Sequence, residues 1–108
     1  MKNRFGLLDS DIATIVQVLS QYPKVEQAYL FGSRAKGNYK NGSDVDIAIK
    51  GGELDFDTLS QISYLLNEET SMPYKFDLVN YHSIQEPALR EHIDRVGIEF
   101  YSLQKELR

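Results

Sequence analysis

The run Asp44–Val45–Asp46–Ile47–Ala48–Ile49 is apolar at every second position, with Val45, Ile47 and Ile49 alternating against Asp44, Asp46 and Ala48. A strand points successive side chains to opposite faces, so this run gives one greasy face and one face carrying two carboxylates. A second strand-like run at residues 25–31 ends in Gly32–Ser33. The link between the two, residues 32–43, leaves little room for a crossover helix, so at least part of the sheet is expected to be antiparallel.

The remaining periodicities dress this pair of strands. Asp9 or Ser10 can cap a helix over about residues 10–22, with Ile12, Ile15, Val16 and Leu19 at helical spacing and Pro23 beyond its end. Asp55 or Asp57 can open a second helix whose apolar face is Leu59, Ile62, Leu65 and Leu66, fading near Glu69 and Pro73. Residues 75–80 read as a third strand, with Phe76 and Leu78 on one face and Asp77 and Val79 on the other. A last helix is expected over residues 85–95, with Leu89 and Ile93 inward, and residues 98–103 read equally as an edge strand or further helix. The order predicts an α/β (α+β) domain: a small mixed sheet with helices packed on it.

With 108 residues the chain fits one domain, able to form a real core but short for an enzyme that must also enclose a second substrate. A partner or a second copy, and hence a homo-oligomer, follows as an expectation. No apolar run approaches a membrane span, and residues 1–8 lack the apolar core of a secretory signal, which points to the cytoplasm. The absence of cysteine excludes disulfides, a thiol nucleophile and cysteine-bound metal, while His82 and His92 are too few and too far apart for a histidine-only site. A net charge of −4 argues against a nucleic-acid-coating surface. Its distribution is more informative: residues 32–42 carry only the bases Arg34, Lys36 and Lys40, whereas residues 43–77 hold eight acids against Lys50 and Lys75. A basic loop followed by a carboxylate cluster suits a site that holds both a phosphate and a cation.

Carboxylates such as those of Asp44 and Asp46, about 4 Å apart, repel by roughly 4 kcal/mol at an effective dielectric near 20. A divalent ion removes that penalty, and oxygen-only ligands select a hard one, Mg2+ with Mn2+ as a substitute. If Asp77 lies on a neighbouring strand with its side chain on the same face, three carboxylates can hold two ions that activate an attacking oxygen and stabilise a departing pyrophosphate. Gly32–Ser33 lets the backbone approach a triphosphate, the Ser33 hydroxyl and exposed amides can donate to it, and Arg34 and Lys36 can neutralise its charge. The reaction implied is nucleotidyl transfer.

Gly32–Ser33, the ten residues from Arg34 to Ser43 and then Asp44–Val45–Asp46 together resemble the signature of the DNA polymerase β nucleotidyltransferase superfamily. The wording Phe31–Gly32–Ser33–Arg34–Ala35–Lys36–Gly37 and Ser43–Asp44–Val45–Asp46–Ile47 is most similar to its minimal nucleotidyltransferases. Phe76–Asp77–Leu78–Val79 falls where that family places its third carboxylate, so the resemblance spans residues 25–80. It implies a polymerase-β-like fold, Asp44 and Asp46 as ligands to both metals, Asp77 as ligand to the catalytic metal and as base, and Gly32 and Ser33 as triphosphate contacts.

Minimal members of this family lack a substrate domain and occur beside a helical HEPN protein, as the antitoxin of a type VII toxin–antitoxin pair. The resemblance therefore implies transfer of AMP from ATP to a tyrosine of a HEPN toxin. Two other readings stand beside it: an antitoxin that neutralises by covering its partner without catalysis, and a catalytic subunit that adenylylates a small molecule. A DNA polymerase role has the least support, because no basic duplex-binding domain is present. His82 and His92 read as structural residues, and Tyr39, Tyr74, Tyr81 and Tyr101 as packing or interface residues.

Overall fold

The computed structural model describes residues 2–103. Its centre is a four-stranded sheet built from β1 (Gln27–Phe31), β2 (Val45–Lys50), β3 (Phe76–Asn80) and β4 (Ile98–Ser102), in the order β3-β2-β1-β4. β1 pairs antiparallel with both β2 and β4, while β2 and β3 run parallel. The sheet is therefore mixed, and the antiparallel pair falls where the short link predicts it. The run at residues 98–103, undecided from sequence, is an edge strand on β1, with a register shift between Ala28 and Tyr29.

The link between β1 and β2 carries a single short helix, α2 (Gly32–Lys36). Between β2 and β3 runs α3 (Phe56–Glu68), the crossover that a parallel pair requires. Asp55 is its N-cap, its side chain accepting from the Thr58 amide at 2.8 Å. The first helix, α1 (Asp9–Leu19), starts differently from expectation. Neither Asp9 nor Ser10 caps it. Leu8 holds the N-cap position and its amide donates to Asp11 Oδ2 at 2.9 Å, so a carboxylate one turn inside closes the end. α1 also stops at Leu19 rather than residue 22, because the amides of Ser20, Gln21 and Tyr22 fold back in a terminal turn ahead of Pro23.

The helix preceding β4, α4 (Pro87–Val96), begins with proline in its first turn, where the missing amide has no intrahelical partner to lose. α1 and α3 cover one face of the sheet, burying Ile15, Leu19, Ile62 and Leu66 against Leu30, Val45, Ile47, Ile49 and Phe76. α4 covers the other, where Ile93 packs with Phe31 and Ala48 and is flanked by Tyr29, Val79 and Leu89. Along β2 the alternation foreseen at Val45, Ile47 and Ile49 therefore separates two cores, the larger on the aliphatic side.

Candidate active site

The site lies on the α4 side of the sheet, where β1 ends and β2 and β3 begin. Register brings the acids together. Phe31 lies opposite Asp46 in the antiparallel pair, and Asp46 lies directly beside Asp77 in the parallel one. Partners in register share a face, so Asp46 and Asp77 project side by side from adjacent strands. Asp44 is exposed and immediately precedes β2, two residues from Asp46.

These groups interact. The carboxyl of Asp46 is pushed up to about 6, first by burial, then by the neighbouring charges of Asp77 and Asp44, with Arg34 pulling weakly the other way. A carboxylate in that position gains from any cation placed among the three acids. Among the described residues, no three candidate ligands already close around one point. Magnesium commonly completes its shell with substrate phosphates and water, so two or three carboxylates are a sufficient protein share.

Gly32 is the first residue of α2 and has φ +76°, a backbone state that disfavours any side chain. A Cβ there would also collide with Asp46 Oδ2. The glycine is therefore needed twice, for the turn and for the space that it leaves beside a carboxylate. Its amide donates to His92 Nε2 on α4 at 3.2 Å, while the His92 ring meets Phe31 edge-on with centroids 6.1 Å apart. Ser33 is half-buried next to it, its hydroxyl without a hydrogen-bond partner among the described residues. Lys36 is exposed on the last turn of α2.

Arg34 departs from the sequence expectation. It is only 3% exposed, and its guanidinium is committed to protein carbonyls. Nη1 donates to Phe5 O at 2.8 Å and Gly6 O at 3.3 Å, while Nε and Nη2 both donate to Ser43 O at 3.2 and 2.8 Å. The rings of Tyr39 and Tyr74 flank it at 5.2 and 5.1 Å. A basic residue in a glycine loop reads as a phosphate contact. The fold instead turns it inward as a clamp on the peptide carbonyl just before Asp44.

Sequence reasoning also passed over Asn67. From α3 its side chain pairs with both backbone groups of Phe76: Nδ2 donates to Phe76 O at 3.0 Å, and Oδ1 accepts from Phe76 N at 2.8 Å. β3 is an edge strand, and this amide supplies on its free side the pairing that another strand would give. It fixes the residue before Asp77. The available signal was an asparagine among good helix formers, a placement helices tolerate poorly without a reason. For His92 no comparable signal exists, since it sits on the sheet-facing side of α4 beside Leu89 and Ile93.

Against known proteins, residues 13–106 match the family described as "Polymerase beta, Nucleotidyltransferase". The chain belongs to that family. This nucleotidyltransferase is 30% identical over 105 residues to the probable protein adenylyltransferase MntA of Haemophilus influenzae, covering 94% of this chain and 90% of the relative. It is also similar to a chain of a toxin–antitoxin crystal structure with AMP-PNP, at 25% identity and TM-score 0.68, covering 92% and 77% of the two chains. A chain of the MntA–HpeT toxin–antitoxin complex shares its fold with TM-score 0.71 at 24% identity, covering 88% and 76%. The mixed sheet and helices described above are thus the polymerase-β-like nucleotidyltransferase fold.

Proposed function

We propose that this nucleotidyltransferase is a metal-dependent antitoxin that transfers AMP from ATP to a tyrosine of a HEPN-type toxin. The observation that carries the reading is the register of Asp46 with Asp77 beneath a glycine whose absent side chain leaves room for one carboxylate oxygen. Two relatives add weight: one is named for protein adenylylation, and one comes from a toxin–antitoxin structure with an ATP analogue.

Asp44, Asp46 and Asp77 would hold two Mg2+ ions, or Mn2+, which when bound would supply charge neutralisation on the triphosphate and acidify the attacking hydroxyl. The fit rests on an all-oxygen donor set and on the burial, followed by the repulsion from Asp77 and Asp44, that raises Asp46. Ser33 and Lys36 hold the triphosphate, Ser33 by its hydroxyl and Lys36 by charge. Gly32 shapes the turn that brings them there. Asp77, the more exposed of the strand acids, takes the proton from the acceptor hydroxyl. The acceptor oxygen bonds to the α-phosphorus as the bond to the β-phosphate bridging oxygen breaks, and pyrophosphate leaves.

The acceptor comes from the partner. Residues 2–103 form one sheet and its covering helices, with no second domain to enclose a small acceptor. A cytoplasmic setting fits the reading, and no helix among the described residues is long and apolar enough to cross a membrane. Neither membrane nor duplex nucleic acid is needed as a partner. A homo-oligomer is compatible with it.

Incubation with α-labelled ATP, Mg2+ and the HEPN toxin is expected to label the toxin on tyrosine and to fail with Asp44→Asn. Loss of toxin activity without label, unchanged in the Asp44→Asn plus Asp46→Asn variant, would establish neutralisation by covering instead. Label on a small molecule and none on protein would favour the third reading.

A further inference from the structure

His92 stands outside the family motif, yet it touches the motif's first residue. Its Nε2 accepts the Gly32 amide at 3.2 Å, across sixty positions of sequence and between two elements that share no strand. The imidazole offers one lone pair to this bond, so it fixes which ring nitrogen faces Gly32.

The ring is held from two sides. Phe31 meets it edge-on at 77°, and Phe31 is the buried residue that pairs with Asp46. α4 in turn is anchored by Arg90 Nη2 donating to Ile84 O at 2.7 Å and by Ile93 buried against Phe31 and Ala48. A fixed acceptor on a fixed helix is therefore aimed at the one amide whose residue has left-handed backbone and lies against Asp46.

A lone glycine in that conformation is the least restrained backbone of the site, since glycine has the most alternatives to lose. One hydrogen bond to its amide removes the rotations that would swing Ser33 away from a triphosphate. We infer that His92 is a positioning residue of this nucleotidyltransferase, holding the Gly32–Ser33 turn in its ATP-binding shape from α4. It also follows that the Gly32 amide is taken by the His92 imidazole, leaving donation to the triphosphate to Ser33. The inference rests on the nucleotidyl-transfer reading of the site.

The test compares His92→Phe, which keeps an aromatic edge for Phe31 but no acceptor, with His92→Gln, whose Oε1 can stand where Nε2 stood. Two readouts are taken on each full-length protein: the Gly32 amide proton shift without ligand, and the affinity for ATP with Mg2+ by calorimetry. His92→Phe is expected to move the Gly32 amide upfield and weaken ATP binding about five- to tenfold, and His92→Gln to restore it to within about twofold. An unmoved Gly32 amide in His92→Phe, or ATP binding equal to wild type, overturns the inference. Equal losses in both variants overturn it too, since packing alone would then account for them. Thermal midpoints of both variants identify misfolding, and should His92→Phe not fold, His92→Leu takes its place. If the wild type itself binds no ATP, the functional reading has failed and this inference fails with it, whereas normal wild-type binding confines any failure to His92.

Discussion

At the scale of single residues, three positions separate roles that the motif merges. Gly32→Ala places a side chain at φ +76° and drives its Cβ into the Asp46 carboxylate. The backbone cost alone is about 1–3 kcal/mol, and a displacement of the acid costs on the order of a hundredfold in turnover. Both should appear together, as a lower thermal midpoint and lost transfer; wild-type turnover in this variant would show that the close approach is dispensable. Arg34→Lys separates a role in holding the fold from a role in binding phosphate. A lysine has one nitrogen and cannot hold Ser43 O together with Phe5 O and Gly6 O, so a loss of about 2–4 kcal/mol in chemical denaturation is expected. A phosphate contact would instead give normal stability with weakened ATP binding. Asp46 supplies the pH dependence. Its folded value is raised to about 6 from an ordinary 3.8, so the folded protein holds a proton that the unfolded chain has released. Its contribution therefore falls as pH rises between those values, and the penalty is complete above them. In EDTA, Asp46→Asn is expected to exceed wild type at pH 7.5 by on the order of 1 kcal/mol, after allowing for solvent screening of a half-exposed group, and to lose the advantage by pH 4. Asp55 works in the opposite sense, because Thr58 and Lys24 hold its carboxyl below the usual range and its contribution is lost as pH falls. It is common to both proteins and cancels in the comparison.

At the scale of elements, the site depends on how firmly an edge strand is held. β3 has a strand on one side only, and on the other Asn67 pairs with both backbone groups of Phe76. Asn67→Ala removes both hydrogen bonds to the Phe76 backbone together with that to Ser63 O, an expected loss of about 1–3 kcal/mol, and frees the residue before Asp77. Hydrogen exchange at Phe76 and Leu78 should quicken more than at Ile47 on the central strand; uniform exchange across both strands would show that Asn67 does not secure β3. This contrast marks what sequence could and could not show. Alternation at residues 44–49 made β2 and its two faces legible, and the short link from Gly32 made the antiparallel pair legible, because both are local consequences of backbone geometry. The meeting of Asp46 with Asp77 was foreseeable only as a condition on register, which long-range pairing decides. Arg34 and His92 were opaque, and Asn67 was marked only by its poor fit to a helix, because their partners lie 9 to 60 positions away and are backbone groups, which any residue type offers. Burial turned a loop arginine inward, and no local pattern records that.

At the scale of the whole molecule, a charge balance of −4 must still admit a triphosphate. The three site acids repel that anion as they repel one another, and of the bases in residues 32–42 Arg34 is buried on carbonyls, leaving Lys36 and Lys40 exposed. Nucleotide and divalent ion should therefore bind as a pair, each removing the repulsion that opposes the other. A ligand that binds only the folded state stabilises it by about 2.7 kcal/mol at a hundred times its dissociation constant. For a domain of this size that is a rise in thermal midpoint of roughly 10 °C or more. Mg2+ with ATP is expected to give that rise, ATP in EDTA almost none, and Mg2+ alone a small one through relief at Asp46. The Asp44→Asn plus Asp46→Asn variant should start from a higher midpoint in EDTA, having lost the repulsion, yet gain little from Mg2+ with ATP. An equal rise with ATP in EDTA, or an undiminished one in the double variant, would mean that the nucleotide is held elsewhere and that these carboxylates do not form its metal site.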